Sequence, residues 1–124
     1  MPKILLVEDN ILNQEGLSRL LTSKYGFQVV AAGDGATALA MFLSVKPDAI
    51  LMDLSLPDID GLEVTRQIRK MEIEQGLKPV GIIALTAHAM QRDRVEASEA
   101  GCTYFETKPV DIARLADKIL RSIS

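Results

Sequence analysis

Short apolar runs that stop abruptly at polar residues recur along this chain. The first occupies residues 4–7 and ends at Glu8, and the later ones end in the same way. A continuous apolar run of about 4–8 residues is typical of a strand that is covered on both faces of its sheet. The runs predict strands at residues 4–7, 29–32, 49–52 and 82–85, with a shorter one at 104–105.

Between these runs, apolar residues recur at helical spacing. Such spacing places them along one stripe of a helix, which can then lie on a sheet. The stripes are Leu17, Leu20 and Leu21; Leu39, Phe42 and Leu43; Val64, Ile68 and Met71; and Ile112, Leu115, Ala116 and Ile119. A further segment at 90–100 has Met90 and Val95 as its only large apolar residues, so the pattern does not define its buried face.

Residues that favour helix ends support this assignment. Asp34 is predicted to be the N-cap of the second helix, and Gly76 is predicted to end the third. Pro109 suits the first turn of the fifth helix. Gly16 lies within the first helix and predicts close packing of that helix on the sheet, since glycine otherwise lowers helix stability relative to alanine.

Five alternating strands and helices in 124 residues indicate a single α/β domain over residues 1–124. Parallel strands need crossover connections, so the alternation predicts a parallel sheet with helices on both faces. Doubly wound sheets of this kind bind their ligands at the carboxyl ends of the strands. Functional residues are therefore expected directly after the strands.

The composition excludes several classes of function. A total of 14 Lys and Arg against 17 Asp and Glu gives a net charge of −3, which argues against direct binding of nucleic acid. No apolar run approaches the ~20 residues that span a bilayer, so no membrane span is expected. Cys102 and His88 are the only residues of their types, which excludes an internal disulfide and a cysteine zinc cluster. The single thiol and the lack of a secretory segment predict a cytoplasmic protein.

Polar residues of complementary chemistry follow four of the five predicted strands. Glu8 and Asp9 follow the first strand, Asp53 the third, Thr86 the fourth and Lys108 the fifth. If the strands take the order 2-1-3-4-5, one of the common orders of doubly wound sheets, the first and third strands are neighbours and the three carboxylates are expected to converge in one crevice. Carboxylates at close range repel one another, and either protonation or a bound cation relieves the repulsion. Oxygen ligands without histidine or cysteine favour Mg²⁺.

A carboxylate nucleophile, a metal ion, a hydroxyl and an ammonium group together form a site that can accept a phosphoryl group. Taken singly, an acidic residue or a threonine after a strand is more often a helix cap or a turn residue. The amino ends of the predicted strands carry an ordinary polar mixture. Its members are Lys3, Gln28, Asp48 and Lys78.

Four segments, in their order and spacing, resemble the receiver domain of bacterial two-component response regulators. They are ILLVEDN at 4–10, ILMDLSLPDIDG at 50–61, LTAHA at 85–89 and FETKP at 105–109. The resemblance covers almost the whole chain. It implies a flavodoxin-like, doubly wound (βα)5 fold, with a five-stranded parallel sheet in the order 2-1-3-4-5 and helices on both faces.

The resemblance also implies a role for each residue of the site. Asp53 is implied to be the phosphoacceptor, Thr86 to bond the phosphoryl group and Lys108 to pair with it. The peptide between Lys108 and Pro109 is implied to be cis. The implied Mg²⁺ ligands are the side chains of Asp9 and Asp53, the backbone carbonyl of Ser55 and, through bound water, Glu8.

Further positions follow from the same resemblance. Phe105 matches the aromatic switch residue of the family, and Tyr104 stands one place earlier, so the sequence leaves open which ring moves. Ser55 and His88 are expected to face the phosphoryl group and to influence the lifetime of the phosphorylated state.

The resemblance implies a phosphorylation-controlled switch, not an enzyme, that contributes to its own phosphorylation and dephosphorylation. A sensor histidine kinase or a histidine phosphotransfer protein is the implied donor, and an output protein is expected to bind the fourth helix, fifth strand and fifth helix. The residues of that surface are Arg92, Arg94, Glu96, Glu99, Tyr104, Arg114 and Lys118. The start at Met1 favours a stand-alone receiver, whereas Glu8-Asp9-Asn10 with Asn13-Gln14 resembles the receivers of hybrid sensor kinases.

Other functions compete with this interpretation. Gly33, Gly35 and Ala38 fit the G-x-G-x-x-A pattern of a dinucleotide-binding turn, and Asp53 follows about 20 residues later. That pattern leaves the other strand-end residues without a role. Asp58 and Asp60 suggest a calcium loop, but residues 56 and 67, at its first and last ligand positions, are Leu and Gln. A receiver-like module that binds partners without phosphate is a third alternative.

Overall fold

The computed structural model describes residues 1–87 and 90–123, in which five strands alternate with five helices. The strands are β1 (Lys3–Val7), β2 (Gln28–Ala32), β3 (Ala49–Asp53), β4 (Gly81–Thr86) and β5 (Tyr104–Thr107). The helices are α1 (Ile11–Tyr25), α2 (Gly35–Val45), α3 (Gly61–Gln75), α4 (Gln91–Ala100) and α5 (Ile112–Ile123). Each predicted strand and helix is present. All five strands extend the predicted run by one or two residues.

The five strands form one parallel sheet in the order β2-β1-β3-β4-β5, as predicted. Val7 at the end of β1 pairs with Ala32 of β2 and with Met52 of β3. Asp53 at the end of β3 pairs with Leu85 of β4. This register brings the carboxyl ends of β1, β3 and β4 to the same edge of the sheet, while β2 and β5 are the outer strands.

The sheet separates two apolar cores. Alternate residues of a strand point to opposite faces, so Ile4 and Leu6 pack with the core under α1 and α5, whereas Leu5 and Val7 pack with the core under α2 and α3. All four side chains are fully buried. Two covered faces are the physical reason that the strands appear in the sequence as continuous apolar runs.

Helix α4 packs through small residues. Ala97 and Ala100 are buried against Ala84 of β4, while Met90 and Val95 are 64% and 44% exposed. Alanine brings a helix backbone close to the sheet without a large side chain. The buried face of α4 was therefore not visible in a pattern of large apolar residues.

Two of the predicted helix ends are confirmed. The Asp34 carboxylate accepts a hydrogen bond of 2.7 Å from the Thr37 backbone N–H, which makes Asp34 the N-cap of α2. Gly76 ends α3 with a φ of 65°, a left-handed conformation that glycine adopts without steric cost.

Two other local predictions are wrong. Pro109 lies before α5, and the Asp111 carboxylate instead caps that helix by accepting from the Arg114 backbone N–H at 3.0 Å. Gly16 faces open space, since a Cβ added there meets nothing within 4 Å. None of the helices in residues 1–87 and 90–123 combines the length and apolar character that a membrane span needs.

Candidate functional site

The carboxyl edge of the sheet brings together the three acidic residues that were expected to converge. One carboxylate oxygen from each of Glu8, Asp9 and Asp53 lies within 4.8 Å of those of the other two. Glu8 and Asp53 are 1% and 2% exposed, while Asp9 is exposed. We call these three residues the acidic site.

Lys108 reaches the acidic site from the segment that follows β5. Its Nζ lies 3.3 Å from Asp53 Oδ2 and 3.9 Å from Glu8 Oε1. The Lys108 backbone N–H donates to the Thr86 carbonyl at 2.8 Å, which joins this segment to the end of β4. The peptide between Lys108 and Pro109 is cis, as the resemblance implied.

Thr86 and Ser55 complete the edge around Asp53. Thr86 is the last residue of β4 and is 4% exposed, and it follows Leu85, the strand partner of Asp53. The Ser55 backbone N–H donates to Asp53 Oδ1 at 2.9 Å, while the Ser55 side chain is exposed. The Asp53 carboxylate is therefore held by Ser55 through one oxygen and by Lys108 through the other.

The two buried carboxyl groups of the acidic site differ in acidity. Burial raises the pKa of Glu8 to about 7, and the neighbouring Asp53 carboxylate adds to the rise. Burial alone would also raise the pKa of Asp53. Hydrogen bonds from Glu8 and from the Ser55 N–H, together with the Lys108 ammonium, outweigh it and lower the pKa of Asp53 below its ordinary value. Asp53 therefore stays charged at neutral pH, whereas Glu8 titrates near neutral pH.

The acidic site fits a hard divalent cation. Among the described residues, Glu8 Oε2 is a buried side-chain oxygen that has no hydrogen-bond partner. Such an atom is costly to bury unless something else binds it. The ligand atoms are all oxygens, which suits Mg²⁺ better than a transition metal.

Phe105 and Tyr104 lie on opposite faces of β5. Phe105 pairs with Ala84 of β4 and packs in the cluster below α4, so it shares a sheet face with Thr86. Tyr104 packs instead against the core under α1 and α5. The Arg94 guanidinium lies 4.8 Å from the centre of the Phe105 ring, a cation–π contact.

The surface predicted for the output partner contains an ion-pair cluster that the sequence did not indicate. Glu106 of β5 is 2% exposed, and its oxygens lie 2.7 Å from Arg114 Nη2 and 2.6 Å from Lys118 Nζ. Lys118 Nζ also donates to the Phe105 carbonyl at 2.8 Å. We call Glu106, Arg114 and Lys118 the Glu106 cluster.

His88, predicted to face the phosphoryl group, lies outside the described residues.

The turn that resembles a dinucleotide-binding motif is occupied by the chain itself. The Gly35 and Ala36 backbone N–H groups donate to the two carboxylate oxygens of Asp58, at 2.9 and 3.0 Å. A dinucleotide would need these N–H groups for its pyrophosphate. The turn also follows β2, an outer strand, whereas Rossmann turns lie at the centre of the sheet. The dinucleotide alternative is therefore wrong.

The sequence matches the family model of the response regulator receiver domain over residues 4–120. The chain belongs to this family. It is a receiver domain of two-component signalling, a class of signalling switches. The fold and the strand-end residues agree with that assignment.

Relatives of this receiver domain differ greatly in length. The polar-differentiation response regulator DivK of Brucella anthropi is 36% identical over 120 residues, covering 96% of this chain and 94% of DivK. The hybrid signal transduction histidine kinase I of Dictyostelium discoideum is 41% identical over 114 residues, covering 88% of this chain. The chain spans only 6% of that kinase. Receivers like this one therefore occur both as nearly the whole protein and as a small part of one.

Solved receiver structures superimpose closely on this domain. The receiver domain of sensor histidine kinase PA1611 from Pseudomonas aeruginosa, which has a magnesium ion in its active site cleft, is 41% identical with a TM-score of 0.86, covering 98% of this chain and 97% of that one. The receiver domain of Ssk1 from Saccharomyces cerevisiae, crystallised with the histidine phosphotransfer protein Ypd1, is 35% identical with a TM-score of 0.91. That match covers 98% of this chain and 88% of the other.

Proposed function

We propose that Asp53 accepts a phosphoryl group from a phosphohistidine and that this modification switches the domain. One observation carries the proposal. The buried Asp53 carboxylate lies 3.3 Å from the Lys108 ammonium at the edge where Glu8 and Asp9 converge. A charged, oriented carboxylate beside a cation is a suitable nucleophile for phosphorus.

The transfer exchanges one bond to phosphorus for another. An Asp53 oxygen attacks the phosphorus in line, the P–O bond forms as the N–P bond breaks, and the imidazole nitrogen leaves with the electron pair and takes up a proton. The Ser55 N–H orients the Asp53 carboxylate, and Lys108 offsets negative charge on the transferring group. The domain thus supplies part of the catalysis of its own phosphorylation and dephosphorylation.

Mg²⁺ is the cofactor in this proposal. Its ligands would be the side chains of Asp9 and Asp53, the Ser55 backbone carbonyl and, through water, Glu8. When bound, the ion neutralises charge on the phosphoryl oxygens. The unpartnered Glu8 oxygen supports this assignment, since a cation and its water shell satisfy it.

The proposed switch depends on which residues share a face of the sheet. We expect the Thr86 hydroxyl to bond the phosphoryl group and Phe105, on the same face, to move with Thr86. Tyr104 packs in the opposite core, so Phe105 is the better candidate for the moving ring. Phosphorylation then shifts a conformational equilibrium of α4, β5 and α5, where an output protein binds. Ser55 and His88 are proposed to tune the lifetime of the phosphorylated state.

The partners in this proposal are proteins. The Ssk1 receiver, crystallised with the phosphotransfer protein Ypd1, supports a phosphotransfer protein or a histidine kinase as the donor. A net charge of −3 gives no support for direct contact with nucleic acid. A cytoplasmic location, where such donors present their phosphohistidine, belongs to the same proposal.

Intact mass measurement tests the proposal. Wild type and Asp53→Asn are incubated with Mg²⁺ and acetyl phosphate or phosphoramidate, with and without a chelator. We expect wild type alone to gain one phosphoryl group, and only without the chelator. A wild-type chain that binds Mg²⁺ but takes no phosphoryl group, either from these donors or from a phosphohistidine protein, would favour a phosphate-independent binding module.

A further inference from the structure

Asp58 joins the loop after β3 to the start of α2. The β3–α3 loop comprises residues 54–60. From its middle, the Asp58 carboxylate accepts from the Gly35 N–H at 2.9 Å through one oxygen and from the Ala36 N–H at 3.0 Å through the other. These N–H groups belong to the first turn of α2, where the helix has no backbone acceptor for them. A charged oxygen there also interacts favourably with the helix dipole.

The contact requires a glycine. A Cβ on Gly35 would lie 2.8 Å from Val64 Cγ2 and 3.1 Å from Ile59 Cβ, so these neighbours would have to shift to admit a side chain. The missing side chain lets the N-terminus of α2 approach the loop closely. The two N–H bonds lower the pKa of the Asp58 carboxyl, so it remains charged at neutral pH. This accounts for Gly35, the second glycine of the Gly-x-Gly turn, which the receiver site itself does not use.

The same loop carries residues of the proposed Mg²⁺ site. It leaves β3 at Asp53, and the Ser55 N–H bonds the Asp53 carboxylate. Both ends of the loop are held close to the sheet. The Leu54 N–H donates to the Leu85 carbonyl at 3.0 Å, and Gly61 packs against the Asp53 carbonyl too closely to leave room for a Cβ. Asp58 supplies the polar attachment between these two ends.

We infer that Asp58 is a positioning residue for the cation site. By fastening the middle of the β3–α3 loop to α2, it holds the Ser55 carbonyl and N–H in place beside Asp53. The inference rests on the proposed function, because it concerns the Mg²⁺ that the acidic site would bind. It gives Asp58 a role unlike that of an ordinary helix cap.

Asp34 provides a matched control. It caps the same helix by accepting from the Thr37 N–H at 2.7 Å, and it belongs to the segment before α2, not to the β3–α3 loop. Removing either carboxylate takes a cap from α2. Only the removal of Asp58 releases the loop.

Three measurements on wild type, Asp58→Ala, Asp58→Asn and Asp34→Ala test the inference. Amide hydrogen exchange over residues 54–60, in metal-free protein, reports the loop directly. Calorimetric titration with Mg²⁺ gives the dissociation constant, and acetyl phosphate gives the phosphorylation rate. We expect Asp58→Ala to speed exchange in the loop and to raise the Mg²⁺ dissociation constant about 10-fold. Asp58→Asn, which keeps one acceptor oxygen, should fall between Asp58→Ala and wild type.

The control separates positioning from stability. Asp34→Ala should lower the melting temperature as Asp58→Ala does, yet leave loop exchange and Mg²⁺ affinity unchanged. Equal losses of Mg²⁺ affinity in the two variants, or a wild-type affinity in Asp58→Ala, would overturn the inference. If Asp58→Ala weakens Mg²⁺ binding while wild type takes no phosphoryl group from acetyl phosphate or from a phosphohistidine protein, the inference holds and the proposed phosphotransfer is wrong.

Discussion

Two charged clusters on the same sheet, the Glu106 cluster and the acidic site, have opposite electrostatic balance. In the Glu106 cluster, one buried carboxylate is bonded by two cations, Arg114 and Lys118, at 2.6 to 2.7 Å. In the acidic site, three carboxylates converge and Lys108 lies within 3.9 Å of two of them, Glu8 and Asp53. A buried oxygen of Glu8 lacks a partner within the described part of the chain. Both clusters include a carboxyl group that is at least 98% buried.

The difference shows that burial alone does not mark a functional carboxylate. Burial would raise the pKa of Glu106, but its bonds to Arg114 and Lys118 lower it below the ordinary value. The pKa of Glu8, in contrast, is raised to about 7, first by burial and then by Asp53. A buried acid that is paired with cations has its charge compensated within the fold, whereas an underpaired one is poised to bind a cation.

The largest effect is expected from the cation of the acidic site. Lys108→Ala should slow phosphorylation by acetyl phosphate about 10²- to 10³-fold, the usual cost of losing one group that stabilises transferring charge. Time-resolved intact mass gives the rate. Lys118→Ala, which removes an ammonium from the Glu106 cluster, should retain the wild-type rate within a few-fold. A comparable loss in both variants would mean that Lys108 acts only through folding.

Mg²⁺ itself should stabilise the acidic site. At 100 times the dissociation constant, a ligand that binds only the folded state adds about 2.7 kcal/mol to the free energy of unfolding. Urea unfolding with and without Mg²⁺ measures this. Asp9→Asn, a substitution of an exposed ligand, should reduce the gain without changing stability in metal-free buffer. A full gain in that variant would place the ion elsewhere.

Neutralising Glu106 should weaken the fold. Glu106→Gln removes the charge from hydrogen bonds to Arg114 and Lys118, and such bonds contribute about 1.5–3 kcal/mol. We expect the free energy of unfolding to fall by about 2 kcal/mol at pH 7. Phosphorylation by acetyl phosphate should change little. Unchanged stability would show that water stabilises the charges of Arg114 and Lys118 as well as the Glu106 carboxylate does.

The stability difference between wild type and Glu106→Gln should depend on pH. The folded-state pKa of Glu106 lies below the ordinary unfolded value of about 4.3, so its stabilisation is complete above that value and is lost as the pH falls through the folded pKa. Wild type should therefore lose more stability than Glu106→Gln on acidification below about pH 4. Urea unfolding of both proteins across this pH range measures the difference. If their free energies of unfolding fall in parallel, the lowered pKa of Glu106 is contradicted.

The smallest effect should have the opposite sign. Without metal, Glu8→Gln removes an underpaired buried charge beside Asp53 and should raise the free energy of unfolding by about 1 kcal/mol at pH 8. With saturating Mg²⁺ the advantage should shrink or reverse. A destabilised, metal-free Glu8→Gln protein would show that Glu8 is paired as fully as Glu106.

Much of this molecule could be predicted from the sequence. The apolar runs and the polar residues after them identified the strands, the parallel sheet and the five edge residues, because strands covered on both faces leave a continuous signal. The resemblance supplied the strand order, and the structure has that order. Asp34 and Gly76 were predictable for a similar reason, since helix ends depend on local backbone geometry.

Only the tertiary structure decided which groups are paired. Glu106 is only 8 and 12 residues from its two cations, Arg114 and Lys118. Nothing in the sequence indicated that Glu106 is buried, because the apolar run that predicts β5 has only two residues. The sequence pattern around Asp58 suggests a calcium loop, whereas its partners in the structure, Gly35 and Ala36, are more than 20 residues away. The buried alanine face of α4 is a further feature that the sequence pattern did not reveal. A local pattern records which residues avoid water, whereas the balance of charge in a buried cluster depends on contacts that form only when distant segments fold together.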